Sequence, residues 1–156
     1  MNFPEIGKKA PAFTLPNQND EKVSLADFRG KNVVIYFYPK ASTPGCTVQA
    51  CGIRDSKKAF EKLNTVVLGI SPDEPSRLRN FTAKKELNFT LLSDVGHVVA
   101  DTYGVWGPKK FMGRVFDGIH RISFIIDAKG TLRHIMEKVK TKSHHDDVIA
   151  FIEENL

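Results

Sequence analysis

The run NVVIYFY (32–38) mixes β-branched and aromatic residues without polar alternation, the pattern of a strand buried on both faces. TVVLGI (65–70) and FTLLSD (89–94) repeat it. Between the first two, the spacing changes to that of a helix. Cys46, Ala50, Ile53, Phe60 and Leu63 fall on one stripe, so a helix is predicted from Thr43 to about Leu63, with Cys46 facing the interior. Residues 71–87 predict a helix entered through Ser-Pro-Asp-Glu, and residues 98–103 a short one. Upstream, AFTLPNQNDEKVSL reads as a hairpin turning at NQND. Ser24-Leu-Ala-Asp27 then fits a capped short helix stopped by Gly30.

Strands alternating with helices imply an α/β sheet with parallel crossovers. The end of the chain differs. ISFIID (122–127) and TLRHIME (131–137), joined by AKG, predict an antiparallel hairpin, followed by a last helix over 145–154. A βαβ unit followed by a hairpin and a helix is the thioredoxin-like arrangement, a central mixed β-sheet flanked by helices. The 156 residues contain no repeat, low-complexity tract or flexible linker, so 1–156 read as a single domain.

Composition narrows the class: 41% hydrophobic and 26% charged residues describe a packed chain and not a disordered one. The formal charge of +5 raises the question of an acidic partner. Outside the densest basic stretch, EKVKTKSHH (137–145), most lysines lie in scattered pairs, and that stretch is not interleaved with aromatics, so no nucleic-acid partner is expected. No segment carries the roughly eighteen apolar residues of a membrane span, and the first residues lack a signal-like apolar region. The expectation is a cytoplasmic protein without a membrane partner.

The chain's two cysteines lie in PKASTPGCTVQAC (39–51), directly after the first buried strand. Thr43 is a favoured N-cap type, Pro44 suits the first helical position, and Cys46 becomes the third helical residue, where a capping box would carry Glu or Gln. Unpaired N–H groups and the positive end of the helix dipole favour an anion there, which makes Cys46 a candidate nucleophile. The alternative is a small buried hydrophobe at a helix start. Cys51 follows five residues later. On a continuous helix that spacing separates the two α-carbons by about 8–9 Å, beyond the roughly 4.4–6.8 Å of a disulfide. Bonding would require local unwinding. A permanent structural disulfide is disfavoured by reducing conditions and by the helix, and a zinc site by the absence of Cys-x-x-Cys spacing or a second pair.

Other residues raise their own questions. HRISFIID is apolar on both faces, so a charged Arg121 needs an anionic partner or a route to solvent. His144 and His145 open the last helix behind Ser143 and are expected to be exposed. Trp106 reads as a packing residue near the site.

Pro39, Thr43 and Cys46 form Pro-x-x-x-Thr-x-x-Cys, which resembles the active-site motif of the peroxiredoxins. TPGCTVQACGIRD, with VLGISPD, NFTLLSD, YGVWG, FMGRVFDGIHRISFIID and the closing His-His helix, resembles the bacterioferritin comigratory protein (peroxiredoxin Q) subfamily over nearly the whole chain. The resemblance implies a thioredoxin-fold thiol peroxidase acting on hydrogen peroxide and organic hydroperoxides, without metal, haem or flavin. It makes Cys46 the peroxidatic cysteine and Cys51 the resolving one. Through a sulfenic acid and an intramolecular disulfide, the enzyme is recycled by thioredoxin or glutaredoxin. Thr43 would position peroxide and thiolate, Pro39 would shield the site, and Arg121 would stabilise both anions. The backbone N–H groups of Gly45 and Cys46 would bind the peroxide. A resolving thiol in the same chain suggests a monomer.

Two other readings start from the same residues. A thioredoxin-like protein disulfide oxidoreductase usually carries Cys-x-x-Cys, which this chain lacks. A redox-sensing or holdase protein would react with peroxide once without turning over.

Overall fold

The computed structural model describes residues 2–156. The N-terminal hairpin forms where NQND turns: β1 (Thr14–Pro16) pairs antiparallel with β2 (Lys22–Ser24). Asn17 Oδ1 accepts the N–H groups of Asn19 (2.9 Å) and Glu21 (3.0 Å), which closes the turn. A short 3-10 turn, Leu25–Phe28, follows, with the Ser24 N–H donating to Asp27 Oδ2 at 2.9 Å.

The central sheet starts with β3 (Asn32–Phe37). Two helices, α1 (Pro44–Asp55) and α2 (Lys57–Lys62), carry the chain across to β4 (Thr65–Ser71). The helix α3 (Pro75–Lys85) leads to β5 (Thr90–Ser93), and α4 (Val98–Thr102) follows. After a hairpin of β6 (Trp106–Phe111) and β7 (Arg114–Ile119), the chain re-enters the sheet with β8 (Ser123–Ile126) and β9 (Leu132–Met136), and ends in α5 (His144–Asn155). The strand order is β5-β4-β3-β8-β9; β3, β4 and β5 run parallel, while β8 is antiparallel to both β3 and β9. This is the mixed sheet of a thioredoxin-like fold.

Alternate residues of β3, with Tyr38 just after it, supply two cores. Val33, Ile35 and Phe37 join Leu68, Ile70, Phe124, Tyr103 and Phe13 on one face. Val34, Tyr36 and Tyr38 face α1, α3 and α5, where they meet Cys46, Ala50, Ile53, Leu78, Phe81, Val148 and Ile152. A fully buried isoleucine such as Ile53 contributes about 1.5–3 kcal/mol, so α1 is held to the sheet mainly by its apolar stripe. Gly69 has a packing reason inside β4: a Cβ there would lie 2.8 Å from the Tyr36 ring. Among the described residues, no helix is long and apolar enough to cross a membrane.

Three predicted boundaries change. The helix expected over 43–63 is interrupted at Ser56 (φ −101°, ψ 10°), and Asn88 Nδ2 donates to the Arg54 carbonyl in the last turn of α1 at 3.1 Å. The helix expected from residue 71 begins at Pro75, because Ser71 and Asp73 are engaged elsewhere. AKG belongs to a longer turn in which Asp127 Oδ1 accepts from Lys129 N (3.0 Å) and Thr131 N (2.9 Å).

Candidate active site

The loop between β3 and α1 is pinned from below by Asp73. Its Oδ2 accepts the Ala41 N–H (2.7 Å) and the Ser71 hydroxyl (2.8 Å), and its carbonyl accepts the Ser93 hydroxyl (2.6 Å). The ends of β4 and β5 thus fix the chain leading into α1. Ser42 adopts φ 66°, a left-handed conformation that costs a non-glycine residue about 1–2 kcal/mol. Half-buried Pro39 lies in the bend just after β3. Thr43 then takes the extended N-cap conformation (φ −81°, ψ 156°), with Pro44 as the first helical residue. Its hydroxyl donates to the Lys40 carbonyl at 2.9 Å and does not cap a helix N–H. Cap position and cap hydrogen bond are therefore separate here, and the N–H groups of the first turn stay free of the Thr43 side chain.

Cys46, at the third helical position, is 1% exposed. Arg121, just ahead of β8, reaches it: Nη2 donates to Cys46 Sγ at 3.1 Å, while Nη1 donates to Gln49 Oε1 at 2.5 Å. Gln49 is fully buried one helical turn beyond Cys46. The guanidinium also lies close to Gly45, where a Cβ would come within 3.6 Å of Nη2. The partner that Arg121 finds in its apolar surroundings is thus the sulfur of a cysteine at a helix N-terminus, and Gln49 fixes the other arm of the guanidinium.

The surroundings reinforce the positive field. Lys109 Nζ donates to the Ile119 carbonyl at 2.7 Å. Burial holds the Lys109 ammonium below its ordinary pKa, as does the Arg121 charge, while Cys46 acts in the opposite direction. Burial drives the Tyr36 hydroxyl well above its ordinary pKa, with Tyr38 and Cys46 adding to the rise, so the ring beneath the site stays neutral.

Cys51 is half-buried, and both cysteines are free thiols. α1 is continuous across them, so the separation of about 8–9 Å follows from helix geometry. The next residue, Gly52, is covered by the His145 imidazole, whose Cε1 would lie 2.7 Å from a Cβ at that position. His144 and His145 were expected to be exposed. Instead, His144 is 1% exposed, with Nε2 2.7 Å from Ser123 Oγ, and His145 is half-buried on Gly52. Burial, assisted by His145, pushes the His144 pKa down to about 4. Trp106 stacks on His97 with ring centroids 3.7 Å apart.

Sequence reasoning missed Gln49 and Asp73. Gln49 is legible only as the residue three after Cys46; Asp73 looked like part of a helix entry because Ser-Pro-Asp-Glu contains cap-forming residues. Among the described residues, no group of three or more His, Cys, Asp or Glu side chains is arranged to hold a metal.

Comparison with known proteins places this geometry. A profile of the AhpC/TSA family matches residues 6–135. The chain is 54% identical over 155 residues to peroxiredoxin Bcp of Escherichia coli K12, covering 99% of each. Its fold matches the bacterioferritin comigratory protein of Xanthomonas campestris, a protein described by its alkyl peroxide reduction activity, with a TM-score of 0.89 at 30% identity, covering 96% of this chain and 98% of the other. A cysteine-to-serine mutant of Xylella fastidiosa PrxQ superposes with a TM-score of 0.92 at 25% identity, covering 99% and 98%. A buried thiol at a helix N-terminus, an arginine on its sulfur and matches over nearly the full length of such relatives lead to one assignment: the chain belongs to the AhpC/TSA family, and within it to the Bcp/PrxQ peroxiredoxins, which are thiol peroxidases.

Proposed function

We propose that Cys46 is the peroxidatic cysteine and Cys51 the resolving cysteine of a single-domain enzyme that reduces hydrogen peroxide and organic hydroperoxides. The observation that carries this assignment is the Arg121 Nη2 to Cys46 Sγ hydrogen bond of 3.1 Å. The Cys46 thiolate attacks one peroxide oxygen and the O–O bond breaks. The other oxygen leaves, taking a proton to form water or an alcohol, and Cys46 is left as a sulfenic acid. Arg121 stabilises the attacking sulfur and the departing oxygen, while the N–H groups of Gly45 and Cys46 hold the peroxide at the positive end of α1. Gln49 positions Arg121. Thr43, fixed through Lys40, orients the peroxide, and Pro39 limits water at the cysteine.

The Cys51 sulfur then attacks Cys46 Sγ, the S–O bond breaks, and the hydroxide leaves as water. The product is a disulfide that the intact helix does not accommodate, so α1 unwinds between the two cysteines. A dithiol donor of the thioredoxin or glutaredoxin class returns both thiols by exchange. Resolution within one chain needs no partner subunit, which fits a monomer, and a cycle dependent on such donors fits the cytoplasm.

The test is a titration of the reduced protein with one equivalent of hydrogen peroxide, following free thiols and mapping linked peptides by mass. Fast loss of both thiols with a Cys46–Cys51 link is expected; Cys46→Ser should not react, and Cys51→Ser should react once and stop. Turnover by Cys46→Ser would refute the assignment.

A further inference from the structure

In the β6–β7 hairpin, beside the site, apolar residues point outward. Its strands are joined by Met112-Gly113, both with positive φ (51° and 79°), in a two-residue turn between the paired residues Phe111 and Arg114. Phe111 is 66% exposed, Met112 87%, Val115 70% and Phe116 47%. The register shows how they are distributed. Phe111, opposite Arg114, and Phe116, opposite Lys109, share one face, Val115 stands opposite Lys110 on the other, and Met112 caps the end. The apolar groups therefore surround the tip and do not form a flat patch on one side. A protein partner would cover one face and leave Val115 or the phenylalanines in water; a hydrocarbon layer covers all of them. The backbone ladder of the hairpin is paired internally up to its last residues, as insertion into a lipid surface requires.

The charges fit the same occupant. Lys110 and Arg114 flank the apolar tip, whereas Lys109 turns its ammonium back onto the Ile119 carbonyl, and Asp117, the single acid between residues 106 and 119, sits toward the base. From Met112 back to Lys110 is two residues of strand, roughly 7 Å, which places Lys110 at headgroup level when the tip enters the interface. Arg114 has the length to snorkel to the same level. We infer that this hairpin docks the protein reversibly on an anionic lipid bilayer. The sequence expectation of no membrane partner rested on the absence of a spanning segment, which does not bear on interfacial docking. β7 runs through His120 directly into Arg121, so the docked hairpin joins the Cys46 site along one strand, with the site held roughly 30 Å from the tip.

The test is co-sedimentation of the reduced protein, without peroxide, with vesicles of equal parts phosphatidylcholine and phosphatidylglycerol, and with pure phosphatidylcholine vesicles as reference. Binding to the anionic vesicles that falls as salt rises is expected. Lys110→Gln/Arg114→Gln should weaken it about 25-fold, about fivefold per removed cation. Phe111→Ser/Met112→Ser should abolish it. Both variants change exposed residues outside the cysteine site, and an unchanged rate of thiol loss with hydrogen peroxide will show that each is folded. No binding, equal binding to neutral vesicles, or binding indifferent to the tip substitutions would overturn the inference. So would light scattering that shows the tip mediating a dimer which the serine variant dissolves, because a second copy of the chain would then be its occupant.

Discussion

The proposed cycle requires α1 to open between Cys46 and Cys51, and the structure suggests how to adjust that step without touching either thiol. Glycine in a helix interior is less favourable than alanine by about 0.8–1.0 kcal/mol, so Gly52 weakens α1 beside the residue that must move. Alanine is excluded from this position by packing. Its Cβ would run into the His145 ring, 2.7 Å from Cε1 and closer still to Nδ1. His145→Ala removes the obstacle, and Gly52→Ala in that background then strengthens the helix without a collision. The informative comparison is between His145→Ala and His145→Ala/Gly52→Ala.

A gain of about 1 kcal/mol lowers the population of the unwound helix about fivefold. Disulfide formation should slow by about that factor. The oxidation of Cys46, which takes place in the intact helix, should keep its rate. Mixing reduced protein with one equivalent of peroxide, quenching with an alkylating reagent at successive times and weighing the products separates the two steps. The double variant should accumulate more sulfenic acid before the disulfide appears. Equal rates of disulfide formation, alongside a higher thermal midpoint for the double variant, would refute the claim that unwinding of α1 limits resolution.

Arg121→Ala removes the donor to Cys46 Sγ and leaves Gln49 Oε1 without its partner, so the second-order rate with hydrogen peroxide should fall about 10²–10³-fold; stopped-flow mixing of the reduced protein measures it, and an unchanged rate would remove Arg121 from the mechanism. His144 makes stability pH-dependent: its folded pKa is about 4 and its unfolded value about 6.5, so the unfolded chain gains a proton first as pH falls. Stability is full above about pH 6.5 and should drop toward pH 4 by at most about 3 kcal/mol, whereas His144→Gln should flatten that slope in denaturant titrations.

The parts of the fold that sequence reveals are those where one local rule operates alone. NVVIYFY and TVVLGI are buried on both faces, so no other pattern competes, and the structure places them side by side at the sheet centre. The β6–β7 hairpin escaped for the opposite reason. WGPKKF contains a proline and two lysines, its turn is Met-Gly and not Asn-Gly, and its apolar residues face solvent, so neither alternation nor turn chemistry announces a strand.

The site divides along the same line. The placement of Cys46 was legible because Thr43, Pro44 and the stripe through Ala50 and Ile53 define a helix start from neighbours in sequence, and Arg121 stood out as an unresolved charge in an apolar strand. What sequence did not supply was the second partner of each. Gln49 receives the free arm of Arg121 across 72 residues, Asp73 pins Ala41 across 32, and His145 rests on a glycine whose missing Cβ has no meaning until α5 is docked. Such pairings depend on how far β8, β4 and α5 stand from α1, which no local pattern encodes. Their placement bears on the proposed chemistry. Asp73, through Ala41, and Gln49, through Arg121, anchor the N-terminal end of α1, where the proposed cycle binds peroxide, whereas the Gly52–His145 contact lies beside Cys51. In the proposed cycle, one helix is thereby anchored where the peroxide is oriented and carries its helix-weakening glycine where the resolving thiol would have to travel.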